Sequence, residues 1–527
     1  GPGVVVADIT GDGFVDFYAP NSKGQPDKLL INDGTGKFID EAATRLPGVS
    51  SSAGAARFGD VDDDGDLDLL IGGSISAGGA VARLFLNDGT GHFTESATAL
   101  PANSGGSQPY DFDLLDADGD FDLDLFVDMH SGKGLLWQND GTGKFTDITA
   151  NLPAQSGLKY GPVACDVDGD GDLDLWQDNS GPNYTEQLMI NDGTAKYTDE
   201  TAARVTGNPG SDDNGVTCID IDGDGDLDAA VTALGSPERL LKNDGTGHFA
   251  LESNAFPAPG DSSLWADFGD FNGDGKLDVV TGQGESGNFV DRVYIGSGAA
   301  VVDTTAPRFR AVETVGNVGP DDSPVVHFGV SDNATTDTGP RLQKAYLKIT
   351  VPAASEVKAM FIGGDLFRAV LPAQAGGTMV SYQACAIDRQ GNEGCSATLS
   401  YTVGGVGPAT TTGVGGGGNG GGGNGGSGGT TGSTGGMGGA GGSQGGTGGA
   451  SNGGAGGNGT GASGGTAGNG GAGGNGTGGN GTGGDFNLEE PGCGCAIPGA
   501  DPQSGTLALG IAGALAALAR RRRNARR

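Results

Sequence analysis

Along the first 300 residues, short apolar runs of strand length alternate with polar turns, and the turns repeat. Each run leaves an acidic nine-residue segment, most clearly Asp166-Val-Asp-Gly-Asp-Gly-Asp-Leu-Asp174 and Asp220-Ile-Asp-Gly-Asp-Gly-Asp-Leu-Asp228. Other copies begin at Asp8, Asp60, Asp116 and Asp270, so six copies recur at intervals of 50 to 56 residues. The runs that follow include Leu67-Asp-Leu-Leu-Ile-Gly-Gly73, Leu123-Asp-Leu-Phe-Val127 and Leu277-Asp-Val-Val-Thr281. They are rich in β-prone residues and too short for helices, which predicts strands. A fixed period of this size is the mark of a repeat architecture.

A second signature lies between the acidic segments. Asn32-Asp-Gly-Thr-Gly-Lys-Phe38 recurs at Asn87, Asn139 and Asn243, and in altered form at Asn191 with Ala195 and Tyr197. Asn-Asp-Gly between apolar runs is hairpin chemistry, because glycine accepts φ > 0 and Asn and Asp bond their own backbone. Each module therefore reads strand, acidic loop, strand, longer connection, strand, hairpin, strand. Four short antiparallel strands in about 50 residues predict one blade of a β-propeller. The sixth module replaces the hairpin motif with Tyr294-Ile-Gly-Ser-Gly-Ala-Ala-Val301.

Oxygens at positions 1, 3, 5 and 9 of a tight loop suit a hard cation such as Ca²⁺, which takes six to eight oxygen ligands. In the second copy Asp60, Asp62, Asp64 and Asp68 offer side chains and Asp66 its carbonyl. The matching sets are Asp8, Thr10, Asp12 and Asp16; Asp116, Asp118, Asp120 and Asp124; and Asp166, Asp168, Asp170 and Asp174 with Asp172. Asp220, Asp222, Asp224 and Asp228 with Asp226, and Asp270, Asn272, Asp274 and Asp278, complete the six. Up to six Ca²⁺ are expected. Glycine at position 6 permits a sharp turn, and Phe121 stands there in the third copy, straining it. The apolar residue at position 8 (Val15, Leu67, Leu123, Leu173, Leu227, Leu277) is expected to plug each loop onto the core. Position 12 is Ala19, Ile71, Val127, Gln177, Val231 or Thr281. None is the carboxylate that an EF-hand needs there, so the ion belongs to a strand–loop–strand corner.

These motifs resemble the FG-GAP/VCBS repeats of integrin-α-like β-propellers. The resemblance covers residues 1–303 and implies that the residues named at positions 1, 3, 5 and 9 ligate calcium within the blades. It leaves six or seven blades open. The chain starts at the edge of its first loop, and a truncated or processed beginning is the expectation.

Residues 304–404 carry alternating strands at Pro324–Val330, Ala345–Val351, Leu366–Leu371, Met379–Cys385 and Ala397–Val403, with a turn at Asp388–Asn392. They predict a β-sandwich, similar to Ig-like or fibronectin-III-like modules. Cys385 and Cys395 flank the turn and are expected to bridge it in an exported protein. Cys165 and Cys218 stand at different offsets from their loops and read as buried free thiols.

Residues 405–485 are nearly all Gly with Asn, Thr, Ser and Ala, which predicts a disordered tether. Residues 486–527 hold Cys493 and Cys495, an apolar run over 505–519 and a final arginine cluster. That order resembles the MYXO-CTERM sorting signal. It implies a transmembrane sorting helix, processing near the cysteines by a sorting protease, and display at the cell surface.

Net charge is −37, and 27 of the 66 acidic residues fall within the six loops. Uncompensated, these clusters repel one another, and such a surface argues against nucleic acid as a partner. The chain has four histidines: His92 and His248 belong to hairpin turns, and His130 and His327 lack a companion nucleophile motif. Trp137, Trp176 and Trp265 read as core. The expectation is a non-catalytic, calcium-stabilised surface module for adhesion to, or recognition of, protein or glycan ligands. The alternatives are a polysaccharide-active enzyme using pairs among Asp111, Asp113, Asp128 and Glu285, or a structural envelope protein.

Overall fold

The computed structural model describes residues 4–20, 26–46, 53–73, 82–102, 109–181, 183–256, 261–272, 274, 276–284, 290–297, 304–332 and 342–404. The tether, Cys493, Cys495, the apolar run, the arginine tail and Glu285 lie outside them. No helix among the described residues is long and apolar enough to cross a membrane.

The chain is all-β, and its repeats are propeller modules. The first sheet runs Val5–Ala7, Asp16–Ala19, Lys28–Asn32 and Phe38–Asp40, in that spatial order and antiparallel throughout. The second (Ala53–Gly59 to Phe93–Glu95), third (Pro109–Leu115 to Phe145–Asp147) and fourth (Pro162–Cys165 to Tyr197–Asp199) repeat that plan. The fifth runs from Asp213–Ile219 to Phe249–Glu252 and pairs at one corner with the sixth, whose described strands are Asp261–Gly269, Asp278–Gln283 and Arg292–Tyr294. First strands of successive sheets pack side by side along the series.

Both faces of the inner sheets are apolar because each is covered on both sides, whereas Val6 of the first sheet and Val293 of the sixth are exposed. Leu125 and Trp137 of the third sheet join Leu70 and Leu84 of the second, while Phe126 and Leu136 join Leu175 and Met189 of the fourth. Alternate side chains thus serve alternate neighbours. This is why the runs after the loops read as continuously apolar.

Residues 304–404 form two sheets. One holds Arg308–Val312, Val325–Ser331, Leu366–Val370 and Met360–Gly363; the other is built on Leu342–Val351 and Met379–Asp388. Val326, Phe328, Leu347, Ala384 and Tyr401 are buried between them, as a sandwich requires. The expected turn is held by Asp388, whose carboxylate accepts the Gly391 and Asn392 N–H groups at 2.5 and 2.8 Å. Cys385 and Cys395 form the expected disulfide.

Three readings are corrected. Cys165 and Cys218 are joined by a disulfide. They lie on first strands of neighbouring sheets, Cα atoms 6.6 Å apart, so their partner was across a module boundary where offset within a module is no guide. Trp137 and Trp176 are fully buried, but Trp265 is 41% exposed. At position 8, Leu123 and Leu173 are buried, whereas Val15 is 48% exposed. In the first four loops the fuller plug is position 2, where Ile9, Val61, Ala117 and Val167 are all within 2% of complete burial, although Phe271 of the sixth is 51% exposed.

Candidate metal centres and the opposite face

The acidic loops share one hydrogen-bond scheme, and it assigns separate tasks to the carboxylates. The position-9 Asp is a buried double acceptor. Asp68 takes the Val61 and Asn87 N–H groups at 3.1 and 2.8 Å, and Asp174 takes those of Val167 and Asn191 at 3.2 and 2.8 Å. Asp16, Asp124 and Asp228 do likewise with Ile9 and Asn32, Ala117 and Asn139, and Ile221 and Asn243. Asp278 bonds Phe271 N and, in place of the missing hairpin Asn, Gly296 N. Position 5 accepts the N–H of position 7, as Asp12, Asp64, Asp120, Asp170, Asp224 and Asp274 all do at 2.9 to 3.3 Å. Position 1 accepts the N–H of the position-6 glycine: Asp8 from Gly13 at 2.7 Å, Asp60 from Gly65 at 3.1 Å, Asp166 from Gly171 at 3.2 Å and Asp220 from Gly225 at 3.0 Å.

Position 3 differs. Thr10 Oγ1, Asp62 Oδ1, Asp118 Oδ1 and Asp168 Oδ1 are buried with no hydrogen-bond partner, as is Asp60 Oδ1 at position 1. A buried, unpartnered carboxylate oxygen is unfavourable unless something positive meets it. Asp60, Asp62 and Asp68; Asp116, Asp118 and Asp120; Asp166, Asp168 and Asp174; and Asp220, Asp222 and Asp224 each bring three ligand oxygens within 4.8 Å of one another. Four loops can therefore hold a metal ion, and the orphaned oxygens fit a hard cation. The first and sixth loops form no such three-carboxylate set among the described residues. Asp270 and Asn272 are exposed, and Thr10 replaces a carboxylate in the first loop.

Burial, reinforced by the neighbouring carboxylates, lifts these acids. It raises Asp60 and Asp228 to about 7, Asp68 to about 8 and Asp124 to about 9. Asp166 rises to about 6, and Asp62, Asp168, Asp220 and Asp174 rise as well. A divalent ion reverses the logic by favouring the charged form. His92 and His248 are exposed turn residues, each with Nδ1 on the hydroxyl of the threonine two residues before it.

Three of the loops are met by the sandwich. The sandwich places Arg368 on Asp63 at 2.5 Å, His327 on Asp63 at 3.1 Å, and Ile362 C=O on the Asp60 N–H at 2.8 Å. Arg310, held by Asp365 at 2.9 and 3.1 Å, reaches Asp116 at 3.2 Å, and Arg308 donates to Gly225 C=O at 2.6 Å. Ile362 and Leu366 enter the same apolar cluster as Leu114 and Leu123. Burial opposes the positive charge on His327, but the carboxylates of Asp63 and Glu313 raise it to about 9.

The other end of the modules has a different chemistry. Asp111, Gly161, Gly215 and Trp265 stand at one position, five residues before their loops. A methyl group built on Gly215 meets Trp265 Cζ3 at 3.0 Å; one on Gly161 meets it at 3.5 Å and Asp111 Oδ2 at 3.7 Å. Glycine thus admits the indole of the sixth module over the fourth and fifth. Tyr110, His130 and Tyr160 cluster nearby in sequence, with ring centroids 5.1 to 5.5 Å apart. Beneath lie buried charges: Lys159, Asp178, Asp128 with Gln177 at 3.0 Å, and Arg239 between Glu186 and Asp213 at 2.8 and 2.5 Å. Asp111 and Asp128 stand out in the sequence as candidate acids, with Asp113, but Trp265 reads as core and His130 as lacking a companion nucleophile motif; Tyr110, Tyr160, Lys159, Asp178, Glu186, Asp213 and Arg239 belong to no repeated motif that marks them.

Comparison with known proteins agrees with the repeat reading. An FG-GAP-like repeat family matches residues 3–71, 128–176 and 232–281, taking in the first, second, fourth and sixth loops. Cartilage acidic protein 1 of Xenopus tropicalis is 29% identical over 179 residues, which cover 31% of this chain and 27% of that protein.

Proposed function

We propose that this chain is an exported, calcium-stabilised, non-catalytic recognition module, and that it presents the propeller face opposite the acidic loops to a protein or glycan ligand. The observation that carries the reading is the division of labour between the two ends. The sandwich sits on the second, third and fifth loops through Arg368, Arg310 and Arg308, whereas the exposed indole of Trp265 and the Tyr110–His130–Tyr160 cluster lie at the far end. Calcium is the ion that the all-oxygen ligand sets favour, and extracellular levels suit loops of this kind. Adhesion or recognition accords with the FG-GAP-like matches, with the tail supplying attachment to the membrane and processing near Cys493 and Cys495.

Three of the four acids that a glycosidase could use are bonded to neighbouring modules or shut away from solvent, which supports a non-catalytic role. Asp113 accepts the Ala164 N–H of the next module at 2.8 Å, Asp111 faces Arg57 at 3.3 Å, and Asp128 is wholly buried. The test is binding of the whole protein to glycan and cell-surface arrays in millimolar calcium, with polysaccharide turnover measured in parallel. Saturable binding that Trp265→Ala abolishes and chelator weakens is the expected result. Turnover, or no saturable binding, rejects it.

A further inference from the structure

The third loop departs from the others at position 6, and the sandwich makes up the difference. In the first, second, fourth and fifth loops the position-6 glycine donates its N–H to the position-1 carboxylate, with φ between +87° and +97°. The third loop has Phe121 there, at φ +72°, a conformation that a side chain makes costly. Asp116 Oδ1 still accepts the Gly119 N–H at 2.8 Å, but Oδ2 takes its bond from Arg310 Nη2 at 3.2 Å. Arg310 is itself fixed, 7% exposed, by two bonds to Asp365. Phe121 is turned to another use: it lines the crevice between Asp63, His327 and Ile362, where the sandwich meets the propeller.

We propose that Arg310 is a positioning residue for the third metal loop, supplying from the sandwich the brace that a glycine N–H supplies in the other loops. The third cation site is then complete only when the sandwich is docked, so docking and binding at that loop strengthen each other. This rests on the calcium reading. It is distinct from a guanidinium substituting for the ion, because Asp118 Oδ1 remains buried and unpartnered beside Asp116 and Asp120.

Calcium titration of the full, chelator-stripped chain by calorimetry tests it. Arg310→Ala is expected to remove one equivalent or weaken one site at least tenfold, and Phe121→Gly added to that variant is expected to restore it. Arg310→Lys, which keeps the charge but not the two-armed geometry, is expected to weaken the same site and to be rescued in the same way. It is the variant to read if Arg310→Ala does not fold. An isotherm unchanged by both substitutions overturns the assignment. So does a gained equivalent, which marks Arg310 as a competing cation, or a lost equivalent that Phe121→Gly fails to restore. A wild-type chain that takes up no calcium rejects this inference and the calcium reading together.

Discussion

The two ends of the propeller modules obey opposite rules. At the loop end the same residue type performs the same bond in module after module: position 9 braces two N–H groups and position 5 closes a turn. At the far end one structural position holds Asp111, Gly161, Gly215 and Trp265 in succession. Repetition marks what every module needs in order to fold. Divergence marks what a single surface, assembled from unlike residues, can do once.

Stripping the metal is the strongest way to test that contrast. Four loops that each gain on the order of 1 kcal/mol from bound calcium correspond to a fall in melting temperature of roughly 5 °C. A scan unchanged by chelator would mean that the loop end needs no ion. Next in size, Asp174→Asn replaces one acceptor oxygen with a donor facing a buried N–H, a loss of about 1–3 kcal/mol. Denaturant unfolding should show it whether or not calcium is present, because those bonds are made within the protein.

An effect of similar size comes from His327. Its folded-state value near 9 lies above the ordinary 6.5, so its contribution is complete below pH 6.5 and is lost as pH climbs through 9. Stability of the wild type should fall across that window more steeply than that of His327→Gln, read as unfolding midpoints at stepped pH. Smallest on stability is Trp265→Ala, at about 1 kcal/mol or less for a half-exposed side chain. The same variant should lose ligand binding, and intact binding would move the recognition surface elsewhere.

Much of the fold could be read directly, because strands, loops and hairpins are set within 50 residues and copied. Leu-Asp-Leu-Phe-Val after the third loop and Asn-Asp-Gly before Phe145 declare themselves in one dimension. The misreadings and the omissions share a cause: contacts between modules, or with the sandwich, leave no local period. The Cys165–Cys218 bridge spans 53 residues, and the Arg310–Asp116 and Arg368–Asp63 bonds span 194 and 305. Trp265 looked like core because its strand is apolar, yet the glycines that admit it belong to other modules. Val15 had the right residue type for a plug, but Ile9 beside it fills that role.

The hairpin asparagines carry one further consequence. Asn87, Asn139, Asn191 and Asn243 each send their Nδ2 to the position-2 carbonyl of the module before: Ile9, Val61, Ala117 and Val167, at 2.8 to 3.0 Å. Each of the first four acidic corners is therefore fastened by a residue made some 75 residues later. A chain emerging from the ribosome cannot lock a corner until the next unit has been spoken for. Assembly should advance in chain order, like roof tiles, each course pinning the one beneath.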